Sequence, residues 1–262
     1  MIPPPADSGR LHGKRILFTR PREYAGELVP RLEELGAEVL WIPAIRVTAA
    51  PLDARAETAL TELQRYRWIA FASANGVRFF LDLLKQRGLN IRPHQKIAAV
   101  GPATASSLEA AGIAVDLVPE KSTGADLARR LLADAEPGTI LLPCGQRARP
   151  ELPGLLAEGG WDVERLICYE TLPAELSPED LRRLRLGVDA ALFASPSQVE
   201  GIWDALDAGE RDVLRKAALI PIGTTTAGAL QAHGLHPAAV PPDPSAEAWV
   251  ATLLRTFEAE AP

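Results

Sequence analysis

The length and composition are those of a folded protein with room for two modest domains. The chain has 262 residues, of which 47% are hydrophobic and 24% are charged, as in ordinary globular domains of about 100–200 residues each. It carries 28 Lys and Arg against 34 Asp and Glu, a formal charge of −6. This acidic balance argues against general nucleic-acid binding, which requires a basic surface.

The N-terminal segment and the cysteines exclude further classes of protein. Residues 1–13 are rich in proline and polar side chains, and we expect a disordered leader rather than a signal peptide, because no apolar core is present. No stretch approaches about 18 uninterrupted apolar residues, so the sequence predicts no membrane span. Cys144, Cys168 and the scattered histidines have no metal-site spacing. We expect a cytoplasmic protein without a metal.

Short apolar runs alternate with helical patterns along nearly the whole chain. Strands separated by helices of about 10–15 residues indicate β-α-β units and a parallel sheet, and therefore an α/β fold. In chain order, the first half predicts strand Arg15–Thr19, helix Glu23–Gly36, strand Glu38–Trp41, helix Asp53–Arg65, strand Trp68–Phe71, helix Asn75–Arg87, strand Lys96–Val100, helix Ala103–Ala111, strand Val115–Val118 and helix Gly124–Ala133.

The second half of the chain repeats the first. Self-similarity at a fixed offset is the signature of an internal duplication. The offset is 124 residues early in each copy, where Ile16 matches Ile140, and 122 residues later, where Phe71–Ser73 matches Phe193–Ser195. We therefore predict two copies of one five-strand unit.

Each copy loses its helical period at the same place, in the extended, proline-containing segments Ile45–Pro51 and Tyr169–Ala174. We predict interdomain linkers at residues 45–49 and 169–174. Two similar domains joined by two linkers would enclose a cleft, and ligands of open parallel sheets bind beyond the carboxyl ends of the strands. The repeat by itself leaves open whether the copies are swapped between the domains or arranged head to tail.

Four strand-to-helix turns combine small residues with hydroxyl or amide side chains. Because a helix N-terminus offers free N–H groups and a partial positive charge, such turns bind carboxylates or phosphates. Plain N-capping without a ligand is the alternative. Arg20 and Arg147 follow the first strand of each copy and suit carboxylate binding, unless they are solvated surface charges. The turn residues are Ser73, Asn75, Gly101, Thr104, Ser195, Ser197, Gly223, Thr225 and Thr226.

Tyr169 opens the second predicted linker. A phenol with a pKa of about 10 is protonated at neutral pH and can donate a proton; an interdomain packing role is the alternative. The glycine patterns match neither a P-loop nor a dinucleotide fingerprint, and no nucleophile elbow or Ser-His-Asp set is recognisable. The sequence thus favours neither a nucleotide cofactor nor covalent catalysis.

The order and spacing of six motifs resemble those of the uroporphyrinogen-III synthase family, over about residues 14–257. The resemblance implies two flavodoxin-like, doubly wound parallel-sheet domains from an internal duplication, joined by a two-stranded linker. Domain 1 would comprise 14–44 and 175–262, and domain 2 would comprise 50–168. The motifs are Leu17–Pro21, Phe71–Val77, Ala99–Ala105, Cys168–Thr171, Phe193–Val199 and Pro221–Ala227.

The resemblance also implies the reaction of a cofactor-independent lyase in porphyrin and heme biosynthesis. Hydroxymethylbilane, a linear tetrapyrrole with eight carboxylates, would close to uroporphyrinogen III in the cleft between the domains, with loss of water and inversion of ring D through a spiro intermediate. Tyr169 matches the family's tyrosine and is the expected general acid. The expected substrate-binding residues are the turn residues together with the two arginines: Arg20, Ser73, Asn75, Gly101, Thr104, Arg147, Ser195, Ser197, Gly223, Thr225 and Thr226.

The implied enzyme is a cytoplasmic monomer with no nucleic-acid or membrane partner. A non-catalytic two-domain ligand binder shares the duplicated architecture and is the main alternative. A solute binder would need an export signal, and a regulator would need a DNA-binding segment outside the repeat. A flavodoxin-like electron carrier is disfavoured, because the sequence has no hydroxyl-rich phosphate-binding loop before its first helix.

Overall fold

A computed structural model describes residues 9–22 and 26–259, and they form two mainly parallel β-sheets with helices packed on them. The strands are β1 (Arg15–Phe18), β2 (Glu38–Trp41), β3 (Ile45–Ala49), β4 (Trp68–Phe71), β5 (Lys96–Ala99), β6 (Thr139–Gly145), β7 (Asp162–Pro173), β8 (Ala190–Phe193) and β9 (Ala218–Pro221). The helices are α1 (Leu28–Glu34), α2 (Ala54–Thr61), α3 (Ala74–Arg87), α4 (Pro102–Ala110), α5 (Gly124–Asp134), α6 (Glu151–Glu158), α7 (Pro178–Arg185), α8 (Pro196–Ala205), α9 (Ala208–Lys216), α10 (Thr224–Ala232) and α11 (Ala246–Ala259), with a 3-10 turn at Leu63–Arg65. The predicted α/β class with parallel sheets is confirmed.

The chain divides into two compact units, which we call unit 1 and unit 2. Unit 1 contains the residues up to Arg46 and those from Leu172 onward, and unit 2 contains Val47–Thr171. The sheet of unit 1 has the order β2-β1-β8-β9, and the other sheet has the order β3-β7-β6-β4-β5. The chain passes from one unit to the other within β3 and within β7.

The two sheets share one order once the repeat offsets are applied. An offset of 124 relates β1 and β2 to β6 and β7, and an offset of 122 relates β4 and β5 to β8 and β9. With these substitutions, β2-β1-β8-β9 becomes β7-β6-β4-β5. Within this order β1 pairs in parallel with β8, and β6 pairs in parallel with β4. Each sheet therefore places strands from the first half of the chain beside strands from the second half.

Helices cover both faces of each sheet, as parallel strands require. In unit 1, Ile16 and Phe18 of β1 pack with α1 and α11, while Leu17 packs on the other face with α8 and α10. In unit 2, α2, α3 and α4 cover one face and α5 and α6 cover the other. In each of β4, β8 and β9, all four residues are buried. This arrangement leaves the strand ends and the following turns as the accessible part of each sheet.

The predicted disordered leader spans residues 1–13, and the prediction is wrong for residues 9–13, which the structure describes. Residues 9–13 form turns, the Leu11 side chain is fully buried in the core of unit 1, and the Leu11 N–H donates to the Leu35 carbonyl at 2.9 Å. One apolar side chain in a polar segment is enough to bind it to the core. Residues 1–8, and residues 23–25 of the predicted helix Glu23–Gly36, lie outside the described part.

The predicted strand Val115–Val118 is also wrong, because a single bridge between Ala98 and Leu117 replaces it. The Asp116 carboxylate accepts from the Ile97 N–H at 2.7 Å, so a side chain occupies a donor that a longer ladder would pair with backbone.

Across the described residues, no helix combines the length and the apolar character needed to cross a bilayer.

Candidate functional site

Tyr169 and Ser73 meet at the carboxyl ends of the strands of unit 2. Ser73 follows β4 and caps α3, where its Oγ accepts from the Gly76 N–H at 3.0 Å. The Tyr169 Oη lies 3.2 Å from the same Oγ, and the Tyr169 ring stacks on Phe79 of α3 with the centroids 5.4 Å apart. A helix-capping serine and the predicted acid therefore form one hydrogen-bonded pair.

Burial shifts the acidity of the groups beside this pair. Burial raises the pKa of the Tyr169 phenol above its ordinary value, and the hydrogen bond with Ser73 partly opposes the shift. Burial likewise raises the pKa of the Cys144 thiol, with a hydrogen bond from Arg165 acting in the opposite direction. The pKa of the Cys168 thiol rises to about 12, mainly through burial. At neutral pH the phenol and both thiols are therefore protonated, and the phenol holds a proton to donate.

A cavity of about 400 Å³ opens beside the pair, and we call it the tyrosine cavity. Its wall includes Ser73, Tyr169 and Cys144, and it carries three arginines, Arg147, Arg149 and Arg165, against the single carboxylate of Glu151. Guanidinium groups bind carboxylates in two-pronged pairs. The tyrosine cavity therefore suits an anionic ligand that carries a group needing a proton.

Arg165 belongs to this wall, although the sequence analysis did not single it out. It lies in the middle of β7, four residues before Tyr169, in a strand whose sequence looks structural. No local turn or repeat marks it, since the repeat places Trp41 at its position in the other copy. Its place at the cavity is visible only once β7 is paired with β6.

Unit 1 has a smaller cavity of about 250 Å³ at the corresponding place, which we call the Arg20 cavity. The repeat offsets relate its residues Phe18, Arg20, Glu27 and Ala194 to Leu142, Cys144, Glu151 and Ala72 of the tyrosine cavity. Arg20 thus has a cysteine as its counterpart, not Arg147. The Arg20 cavity is lined by the carboxylates of Glu27 and Glu247 as well, so it has the weaker attraction for an anion.

The serine turns of the two units are built differently. In the described residues of α8, Ser195 makes no side-chain capping bond. Gln198, which is 3% exposed, accepts from the Ala194 N–H at 2.8 Å and bonds to the Thr19 hydroxyl at 3.1 Å. Gln198 occupies the repeat position of Gly76. Its side chain accepts from the N–H of Ala194, before the turn, whereas the Ser73 side chain in unit 2 caps the N–H of Gly76 within the helix.

The remaining predicted residues separate into accessible and buried sets. Thr104 and Thr226 are only 4% and 2% exposed, so their side chains belong to the packing of α4 and α10. Gly101 and Gly223 are the N-caps of those helices, and a Cβ on Gly101 would lie 2.2 Å from the Ser122 Oγ. The half-buried or exposed predicted residues are Arg20, Asn75, Arg147, Ser195, Ser197 and Thr225.

Other features of the described residues add no second centre of chemistry. A wider groove of about 700 Å³ runs between α1 and α11, and none of the predicted site residues lines it. Within the described ranges, no three His, Cys, Asp or Glu side chains are grouped so as to hold a metal ion.

Comparisons with known proteins agree with the motifs. A family model described as uroporphyrinogen-III synthase HemD matches residues 26–251. The uroporphyrinogen-III synthase of Chlorobaculum parvum is 30% identical over 241 residues, covering 87% of this chain and 93% of that protein. The porphyrin biosynthesis protein HemD of Ruminiclostridium josui is 30% identical over 232 residues, covering 86% of this chain, which spans 45% of that longer protein. These matches confirm the family resemblance.

Solved structures share the fold. A mutant uroporphyrinogen III synthase from the extremely thermophilic bacterium Thermus thermophilus matches with a TM-score of 0.64 and 23% identity, over 94% of this chain and 99% of that one. A uroporphyrinogen-III synthetase from Helicobacter pylori matches with a TM-score of 0.64 and 18% identity, over 93% and 99%. At these identities the likeness concerns the fold.

Proposed function

This chain belongs to the uroporphyrinogen-III synthase family of cyclising lyases in tetrapyrrole synthesis, and from that premise we propose that its chemistry takes place at the tyrosine cavity. The observation that carries the proposal is the Tyr169–Ser73 pair, with 3.2 Å between its oxygens, on a wall with three arginines. The pair supplies a proton donor, and the arginines supply attraction for carboxylates.

The proposed substrate is hydroxymethylbilane, whose terminal hydroxymethyl carbon ionises as its oxygen departs. The pyrrole nitrogen supplies the electron pair that expels this oxygen, and Tyr169 donates the proton with which it leaves as water. Ring D then attacks to form the spiro intermediate, which fragments and recloses with the ring inverted. The free carbon of ring D loses its hydrogen as a proton when it forms the closing bond, and this proton restores the Tyr169 phenol. Because burial keeps the Tyr169 phenol protonated, the donor is available throughout the neutral range.

In this proposal the enzyme also acts by positioning the substrate. Ring D has to attack through the α-carbon that is already joined to the rest of the tetrapyrrole, rather than through its unsubstituted α-carbon. We propose that Arg147, Arg149 and Arg165 hold carboxylates of the substrate in the tyrosine cavity, with backbone N–H groups at the start of α3 and α4 as further donors. The buried Thr104 and Thr226 support their turns rather than touch the ligand. Additional contacts are proposed for the accessible set: Arg20, Asn75, Ser195, Ser197 and Thr225, with Gly101 and Gly223 keeping their turns open.

We further propose that the chain is a swapped internal duplication with flavodoxin-like units. The shared strand order of the two sheets supports the duplication. The order β2-β1-β8-β9 reads 2-1-3-4 when the strands of unit 1 are counted along the chain, which is the flavodoxin-like order without its last strand. A monomer in the cytoplasm completes the proposal, and sedimentation and cell fractionation test those two points.

The test is an isomer-resolved turnover assay with hydroxymethylbilane generated enzymatically and the porphyrin products oxidised and separated. We expect type III product, and we expect Tyr169→Phe to lower kcat by about 10²-fold or more, the contribution of a positioned acid. Tyr66→Phe is the matched control, because Tyr66 is a buried tyrosine in the core of the same unit. Near-normal turnover by Tyr169→Phe would remove the phenol from the mechanism.

The same assay distinguishes the ligand-binding alternative. Type I product at the uncatalysed rate, from a protein that binds the substrate, would indicate a binding module without turnover.

A further inference from the structure

We propose that Gly145 is a positioning residue for Tyr169, because the lack of a side chain at this position lets the phenol reach Ser73. This inference rests on the proposed function, since it concerns the group assigned there as the acid. Gly145 ends β6 and lies beside the Tyr169 ring in the wall of the tyrosine cavity.

The requirement at Gly145 is for space. A Cβ at this position would lie 2.6 Å from Cε2, 2.7 Å from Cζ and 3.0 Å from Oη of Tyr169, and separations below 3.0 Å force one of the groups to move. The backbone of Gly145 lies outside the left-handed region, so alanine is excluded by the ring and not by conformation. Glycine is the residue that allows this close approach.

A β-bulge brings the ring to this position. Cys144 pairs with Ile167, but the next residue, Gly145, pairs with Tyr169, so Cys168 is an extra residue in β7. In a regular strand, neighbours point to opposite faces; here Cys168 lies in the core of unit 2, and Tyr169 packs against the same core. Bulges of this kind redirect side chains beside active sites.

The ring has little freedom to yield to a larger residue. The Tyr169 ring stacks on Phe79 at 20° between the planes, and its Oη bonds to Ser73. The Gln146 N–H also donates to the Tyr169 carbonyl at 3.0 Å, which holds the two strand ends together. A methyl group at Gly145 therefore displaces the phenol from Ser73 unless the strand ends separate.

The other copy of the repeat has neither member of this pair. The offset of 124 places Pro21 at the position of Gly145 and Ile45 at the position of Tyr169. The glycine and the tyrosine therefore occur together in one copy only, as expected if the glycine serves the tyrosine.

The first variant is Gly145→Ala, with Gly154→Ala as its matched control. Gly154 lies in α6 of the same unit, and an added Cβ there meets no atom of the described residues within 4 Å. We expect Gly145→Ala to lower kcat about ten- to a hundredfold with KM little changed, because a displacement near 1 Å has costs of this order. We expect the control to keep the kcat of the parent chain.

Two further measurements distinguish positioning from damage to the fold. In the Tyr169→Phe background, Gly145→Ala should lower kcat no further, since the acid is already gone. An alkaline absorbance titration, in which Tyr169 is identified by difference from Tyr169→Phe, should show a shifted ionisation in Gly145→Ala: upward if the ring loses only its bond to Ser73, and downward if the ring also leaves its buried position. The double variant Gly145→Ala, Phe79→Leu gives the displaced ring room, so the test remains available if the single variant does not fold; its kcat should also be low.

The outcomes separate this inference from the proposed function. An unchanged titration with unchanged kcat, a kcat loss that persists in the Tyr169→Phe background, or normal kcat in the double variant would overturn the role of Gly145. A shifted titration with unchanged kcat would show that Tyr169 moves without consequence, and it would overturn the assignment of Tyr169 as the acid.

Discussion

Comparing Ser73→Ala with Ser195→Ala measures how much each serine contributes to the free energy of unfolding, and whether Ser73 contributes more than its equivalent in the other half of the chain. The two serines stand at equivalent positions, each before a helix. The Ser73 Oγ accepts from the Gly76 N–H and bonds to the Tyr169 Oη. In unit 1 Ser195 makes no such cap, and the Gln198 side chain accepts from a different group, the N–H of Ala194.

The magnitudes follow from these contacts. Losing an N-cap side chain costs about 1 kcal/mol, and losing the partner of a half-buried phenol costs about 1 kcal/mol more. We therefore expect Ser73→Ala to lower the free energy of unfolding by about 2 kcal/mol. Ser195→Ala removes no capping bond within the described structure, so we expect a change of about 0.5 kcal/mol or less.

The assay is guanidinium chloride unfolding followed by far-ultraviolet circular dichroism, with the midpoints compared at a common slope. Turnover measured on the same samples should fall for Ser73→Ala, because the phenol loses the group that orients it. Equal losses of stability at the two serines, or a larger loss at Ser195, would refute this account of the two turns.

Three further predictions test other parts of the structure. Leu11→Ala should lower the free energy of unfolding by about 2–5 kcal/mol, because it empties a fully buried position, whereas Leu186→Ala, at a position 76% exposed, should change it by less than about 0.5 kcal/mol; equal midpoints in denaturant would contradict the burial of Leu11. The Cys168 thiol, whose pKa is raised to about 12, should resist a disulfide reagent at pH near 8 until denaturant is added, and rapid labelling of the native protein would refute this. Because the pKa is higher in the folded protein than in the unfolded chain, the thiol's contribution to stability is complete below a pH of about 9 and is lost as the pH rises toward 12. Gln198→Ala leaves the Ala194 N–H without its partner and should cost about 1–3 kcal/mol in thermal or chemical unfolding, while an unchanged midpoint would mean that another acceptor takes its place.

The local pattern of residues was sufficient to predict most of the elements. The strand Trp68–Phe71 has the predicted ends, and α3 begins one residue before its predicted start because Ser73 caps it. Apolar runs and capping side chains act within a few residues, so they can be recognised in one segment at a time. The two residues that form the proposed acid pair, Ser73 and Tyr169, were likewise marked by their own motifs.

Long-range contacts decided what those motifs do. The distance between Ser73 and Tyr169, the bulge at Cys168 and the need for glycine at Gly145 all arise where β6 and β7 pair and pack on α3. No single segment contains that information, because strand partners are chosen by burial across the whole sheet. For the same reason, the position of Arg165 in the cavity wall could not be predicted from the sequence: it depends on the pairing of β7 with β6.

The sequence by itself determined the α/β class and the family, because periodicity, turn residues and motif order are properties of the chain read in one dimension. The tertiary structure decided that β1 lies beside β8 and β6 beside β4, and that Leu11 belongs to the core. It also decided that Ser73 caps its helix whereas the equivalent Ser195 does not. Hydrogen-bond partners and buried neighbours come from distant parts of the chain, and they depend on which side chains the packing brings within a few ångströms.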